Sequence, residues 1–228
     1  MSKRNLLLDP CWSAKDLGQA LPDTPHAVSV ALPRWQDVID YEEKKDHCMN
    51  LLQAIYPRFG LNPLVSQAAH KALEDCRIEA AHSWPYPNLN VAKRAQLYCA
   101  KNSEGETLIK EFSGLHCLIS DIKATPFAKD FWQHTGLGAS SRQAAIALKK
   151  EGLPSKEEGK RARDVLIERL SQIYSCESNL IQLHPSGMAS LTEALEAIRR
   201  FRPEGDFLQL GFPYVDVLKL PKNIWRVR

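Results

Sequence analysis

Apolar residues recur at helical spacing through the last quarter of the chain. Met188, Leu191, Leu195 and Ile198 follow one another at intervals of three and four, which predicts a helix. Arg199, Arg200 and Arg202 crowd its end, where the macrodipole favours cations, and Pro203 stops it. The short apolar runs Leu180–Leu183 before it and Phe207–Leu210 after it are predicted as buried strands. Strand, turn, helix and strand together predict a right-handed crossover in a parallel sheet.

Upstream the pattern changes several times. Pro10, Pro22, Pro25 and Pro33 disfavour helix over residues 1–41, which are expected to form an extended arm, with Val28-Ser29-Val30 as a short strand. The arm either wraps its own core or crosses to another subunit. A helix is expected over Tyr41–Ile55, where Met49, Leu52 and Ile55 line one face, and another over Leu64–Ala81, with Leu64, Val65, Ala68, Ala72, Leu73 and Cys76 as its core stripe. Ser83–Asn88 reads as a break. Candidate strands at Ala95–Cys99, Thr107–Phe112 and Leu115–Ser120 predict a small antiparallel sheet over 95–120. Phe127–Thr135 reads as a short helix, Gly136-Leu137-Gly138 as a hinge or cap, and Ser140 and Ser141 as opening a helix over Arg142–Lys150. Glu157–Tyr174 carries the clearest helical pattern, with Ala162, Val165, Leu166, Leu170, Ile173 and Tyr174 as its expected buried face. Residues 42–174 are thus a mostly helical region with a small sheet, and 175–228 the start of an α/β domain.

Composition narrows the function classes. Apolar residues at 44% and charged ones at 25% are ordinary for a globular protein, and a net charge of +3 gives no argument for nucleic acid or an anionic membrane. No apolar run approaches the ~20 residues that cross a bilayer, and the leucines near the start are too few for a signal peptide, so the expected compartment is the cytoplasm. Six cysteines without a Cys-x-x-Cys pair argue against zinc and redox motifs. His116 and Cys117 would point to opposite faces of a strand, and His47-Cys48 is poorly disposed for one metal. There is no Gly-x-Ser-x-Gly elbow, and Gly136–Ser141 lacks the Gly-Lys-Ser/Thr of a P-loop.

The remaining chemistry lies at His184-Pro185-Ser186-Gly187-Met188. Ser186 is a favoured N-cap, and the backbone N–H groups of Gly187 and Met188 open the helix, an arrangement suited to a phosphate. An ordinary βαβ unit with nothing bound has the same spacing. Arg58, in the turn after Tyr56-Pro57, is either a second phosphate ligand or a solvated loop arginine.

Three segments carry a resemblance. Ser186-Gly187-Met188-Ala189 with Tyr214 resembles the pyridoxal-phosphate (PLP) site of the Cys/Met-metabolism enzymes, the cystathionine gamma-synthase family. Tyr56-Pro57-Arg58-Phe59-Gly60-Leu61-Asn62-Pro63 is similar to that family's Tyr-x-Arg-x-x-Asn-Pro. Leu21–Trp35, Tyr41-Glu42-Glu43 and Phe131–Gly136 resemble its long-N-terminal branch, best known from fungi. The resemblance implies the N-terminal part of a PLP-dependent enzyme of the aspartate-aminotransferase-like fold (fold type I). It implies that Gly187 and Met188 hold the cofactor phosphate beside Ser186, that Tyr214 stacks on the pyridine, and that Tyr56 and Arg58 reach the phosphate from a neighbouring subunit. The implied reaction is trans-sulfuration, in which an activated homoserine ester is eliminated at its γ position and cysteine adds to give cystathionine. The family's Schiff-base lysine, pyridine-nitrogen aspartate and substrate-carboxylate arginine have no counterpart here, so the expectation is a truncated chain, inactive alone. It would act as a homo-oligomer or with a complementary C-terminal chain. The alternative is a non-enzymatic interaction module or remnant scaffold.

Overall fold

Proline keeps the first part of the chain out of helix, and it folds back on its own core. The computed structural model describes residues 4–57, 59–74 and 82–220. Strands β1 (Ala20–Leu21) and β2 (Ser29–Val30) form a small antiparallel pair, the second where a strand is expected. The Arg4 guanidinium spans Asp9 and Asp16, at 2.8 and 2.7 Å, and ties down the beginning of this segment. Helix α1 (Trp35–Glu42) follows, then α2 (Asp46–Met49). The single helix expected over Tyr41–Ile55 is therefore corrected to the end of one helix and a second short one. Lys44 between them adopts a positive φ of 57°, which no helix continues through.

Asn62 caps helix α3 (Pro63–Leu73) by accepting the Leu64 N–H at 2.9 Å, with proline at the first helical position. The remainder of the helix expected to Ala81, Cys76 included, lies outside the described residues. Strand β3 (His82–Tyr86) replaces the break expected at Ser83–Asn88. It is an edge strand, where a proline costs the ladder little, and Pro85 instead accepts the Ala139 N–H through its carbonyl at 2.9 Å. Helix α4 (Leu89–Asn102) stands where a strand is expected at Ala95–Cys99. The buried residues Val91, Ala92, Ala95, Tyr98 and Cys99 explain the error, because they repeat with helical rather than strand period.

Strands β4 (Thr107–Phe112) and β5 (Leu115–Ser120) occur as expected, and the sheet order β3-β5-β4 is antiparallel throughout. Alternation along β5 places Leu118 on one face and Leu115 and Cys117 on the other. The first face packs α4 and α5 (Thr125–Thr135) in an aromatic core of Trp84, Tyr86, Tyr98, Phe131 and Trp132. The second packs α3 and α6 (Ser141–Ala147) through Leu64, Val65, Ala68 and Ala144. This α/β unit has helices on both faces of a small antiparallel sheet.

Helix α7 (Lys156–Tyr174) starts with the Ser155–Glu158 capping box, yet buries none of its residues. Its expected apolar face is present but exposed. Helix α8 (Gly187–Phe201) occurs where the spacing puts it. Arg94 of α4 pairs with Glu193 and Glu196 of α8, and the Thr192 hydroxyl donates to the Thr135 carbonyl at 2.9 Å. Neither flanking strand forms. Leu180 ends a 3-10 turn, Ile181 is extended without a ladder, and Leu208 and Leu210 are 87% and 84% exposed. Extended backbone becomes a strand only beside another edge, and no described strand lies next to these runs. The short helix α9 (Val215–Lys219) closes the described chain.

Candidate functional site

A cleft of about 780 Å³ lies where the ends of several elements meet, a volume in the range of small-molecule sites. Its walls are the turn after Tyr56, the loop from Gly136 to Arg142, the start of α8, and Tyr214 to Val217. Five of the six residues singled out in the sequence, Tyr56, Ser186, Gly187, Met188 and Tyr214, line it. The sixth, Arg58, lies outside the described residues.

The start of α8 is fixed by its neighbour rather than by a preceding strand. Gly136 ends α5 in the left-handed region at φ 66°, and the Ser186 hydroxyl donates to its carbonyl at 3.2 Å. The same oxygen accepts the Ala189 N–H at 3.0 Å. A Cβ on Gly136 would come within 2.7 Å of both Met188 Cβ and Ser186 Oγ, so the close approach requires glycine. Ser186 has spent its one proton on this junction and serves here as a cap. The Gly187 and Met188 amides belong to the first helical turn and have no intrahelical partner. A Cβ built on Gly187 meets nothing within 4 Å, so a side chain at this position would stand in open space.

Across the cleft, the Tyr56 and Tyr214 hydroxyls lie 3.2 Å apart. Both belong to one chain, whereas the resemblance implies that Tyr56 acts in a neighbouring subunit. The Tyr56 N–H donates to the Tyr41 hydroxyl at 3.3 Å, and α1 thereby sets the turn. Partial burial, followed by hydrogen bonds to Tyr56 and Asp216, raises the Tyr214 pKa above its ordinary value. The ring therefore stays a neutral phenol at physiological pH.

Sequence reasoning missed a second group on the same wall. The His26 ring lies 3.0 Å from the Ser141 hydroxyl through Nδ1 and 2.5 Å from Glu151 through Nε2. This joins the proline-rich arm to α6. Arg142, one residue on, lines the cleft and pairs with no described acidic residue. Asp216 was missed as well. Its spacing two residues after Tyr214 was the available signal. No lysine is among the described residues lining the cleft, and no group of three or more His, Cys, Asp or Glu side chains placed to hold a metal occurs among the described residues.

No family model matches the chain, and no solved structure matches it. Curated relatives do. A cystathionine gamma-synthase-type protein of Saccharomyces cerevisiae is 32% identical over 156 residues, which cover 59% of this chain and 24% of the relative. The cystathionine gamma-synthase of Neurospora crassa is 31% identical over 167 residues, 60% of this chain and 27% of the relative. An L-2-amino-4-chloropent-4-enoate dechlorinase/desaturase of Streptantibioticus cattleyicolor is 25% identical over 211 residues, 88% of this chain and 42% of the relative. The similarity to cystathionine gamma-synthases read from the motifs is thus borne out. The chain spans about a quarter of the length of the first two of these relatives.

Proposed function

We propose that this cystathionine gamma-synthase-like chain supplies the phosphate-and-ring wall of a PLP site within a fold type I protein, and that it does not turn over substrate alone. The observation that carries this reading is the meeting of Gly187, Met188, Tyr56 and Tyr214 on one cleft. Amides at a helix start suit a phosphate, and a half-exposed tyrosine ring lining the same cleft suits a planar heterocycle. Ser186 holds the helix start in place, and Arg142 gives the wall a cation. When bound, PLP supplies the electron sink of trans-sulfuration chemistry. The cleft as described offers no amine to hold the cofactor covalently, and this favours binding without turnover.

Trp132 lines the cleft and gives a direct reporter. Titration of the purified chain with PLP, followed by tryptophan fluorescence, is expected to show saturable binding that Tyr214→Ala weakens and borohydride does not lock on. Absence of saturable binding would overturn the cofactor reading. A borohydride-trapped adduct mapping to a cleft lysine, or turnover of an acylhomoserine with cysteine, would overturn the claim of incompetence.

A second reading, a non-enzymatic interaction module, is favoured by α7, which presents Val165, Leu166, Ile173 and Tyr174 to solvent. Anion binding at Gly187 and Met188 discriminates the two.

A further inference from the structure

The lining of the cleft carries few formal charges. Among its described residues, Arg142 is the cation and Asp216 the carboxylate. Asp216 already faces the His134 ring at 3.1 Å and the Lys219 ammonium at 3.9 Å. Arg142 pairs with no described acidic residue. Glu151 is the acidic group brought to its corner of the cleft, and the His26 ring holds it through Nε2 at 2.5 Å.

The donors at this corner can be counted. A carboxylate only accepts, so the proton between His26 and Glu151 sits on Nε2. In the neutral ring Nδ1 is then an acceptor, and the Ser141 hydroxyl donates to it at 3.0 Å. Ser140 is placed differently. Its oxygen accepts the Gln143 N–H at 3.2 Å, and the Gln143 side chain accepts the Ser140 N–H at 2.9 Å. This capping box leaves the Ser140 hydroxyl proton unused, and Ser140 lines the cleft beside Arg142. The corner therefore offers a guanidinium fork and a hydroxyl proton, while Glu151 and Ser141 are both turned to His26. Such a donor set recognises an oxyanion, and the planar fork matches a carboxylate. One positive charge balances a carboxylate, whereas a phosphate monoester carries about −1.5 to −2 at neutral pH. Much of the remaining lining is apolar, with Val28, Leu61, Val65 and Trp132 in it.

We propose that Arg142 and Ser140 form a carboxylate subsite of the cleft, for a small organic acid whose apolar body lies against the rest of the lining. The subsite is built on α6, a different element from the helix start at Gly187 and Met188. It goes beyond the cofactor reading and does not depend on it.

Phenylglyoxal modification of the full chain, mapped to individual arginines by mass spectrometry, tests the subsite with benzoate as the probe. Benzamide, which has the same ring and no charge, and inorganic phosphate are the comparisons, all at one ionic strength. Benzoate is expected to slow modification of Arg142 several-fold and to leave Arg161 and Arg163 of the exposed helix α7 unchanged. Ser140→Gly removes the hydroxyl but keeps a tolerated cap, and should weaken that protection. No protection of Arg142, equal protection of all three arginines, or equal protection by benzamide would overturn the subsite. Protection by phosphate without benzoate would overturn its assignment to a carboxylate, and unchanged protection in Ser140→Gly would overturn the part given to Ser140. Should Ser140→Gly fail to fold, the unsubstituted chain alone decides whether Arg142 binds the anion. None of these arms contains PLP, so a chain that shows the protection but binds no PLP would keep the subsite and lose the cofactor reading.

Discussion

The Tyr56 hydroxyl lies 3.2 Å from the Tyr214 hydroxyl although 158 residues separate them. This contact brings the turn after α2 against the start of α9 and closes one side of the cleft. Both rings are about half-exposed, so the hydrogen bond competes with water. Tyr56→Phe and Tyr214→Phe are each expected to cost toward the lower end of the ~0.5–1.5 kcal/mol typical of one such bond. Urea denaturation of the two single variants and the double variant reads the coupling. Strict additivity in the double variant would mean that the hydroxyls are not bonded.

Gly136 is a sensitive position near the cleft. Alanine there would be strained by the positive φ and would press its methyl group against Met188 and Ser186 at 2.7 Å. Overpacking of this kind costs about 1–3 kcal/mol. Gly136→Ala should lower the melting temperature and push the start of α8 away from α5. Gly187→Ala gives the contrast. Its Cβ meets nothing, so stability is expected to hold or rise slightly, while the new methyl group on the cleft lining weakens PLP binding. Equal loss of stability in the two variants would refute this account of the junction.

The same positions show what the sequence made legible. Helix α8 was readable because its apolar spacing, cap and arginine-rich end all agree, and this agreement placed Ser186, Gly187 and Met188 correctly at a helix start. The flanking strands were not, because a run such as Phe207–Leu210 becomes a strand only beside a partner that the sequence does not specify. Ala95–Cys99 misled for a different reason: a short apolar run has no clear period until its neighbours Val91 and Ala92 are counted. His26 and Asp216 gave almost no signal. His26 reaches Ser141 and Glu151 over more than a hundred residues, and His134 reaches Asp216 over 82. Such pairings are fixed by packing and leave no local pattern.

The buried His134 predicts an acid limit on stability. Desolvation, with the nearby Lys219 charge, lowers its pKa below the ordinary 6.5, against the opposing pull of Asp216 and Asp130. Between the lowered value and 6.5 the unfolded chain binds the extra proton and the folded chain does not, so stability rises with pH across that window. The contribution is complete above about pH 6.5 and is lost as the pH falls toward the lowered folded value. Asp16, Asp37 and Asp40 also have lowered values, and their contributions fade only further down, below the ordinary carboxylate range. Melting temperature against pH should therefore fall in two separate steps. His134→Gln is expected to remove the upper step and leave the lower. Persistence of the upper step in that variant would assign it elsewhere.

Helix α7 sets the last expectation, because its apolar face is exposed although its sequence is patterned for burial. Leu166 and Ile173 lie two turns apart on the same face, 51% and 71% exposed, with Val165 and Tyr174 beside them. Phe201, Leu208, Leu210 and Phe212 are also largely in solvent. Exposed apolar surface of this extent is where soluble proteins bind partners or associate. The chain alone should bind a hydrophobic dye and show a sedimentation coefficient that rises with concentration. Since neither side chain is buried, Leu166→Glu with Ile173→Glu should change stability by no more than about 0.5 kcal/mol per site, as for ordinary surface substitutions. Dye binding and self-association should both fall in that variant. Loss of the fold instead would show that the α7 face is covered in solution by another part of the chain, and unchanged association would move the sticky surface to the segment around Phe212.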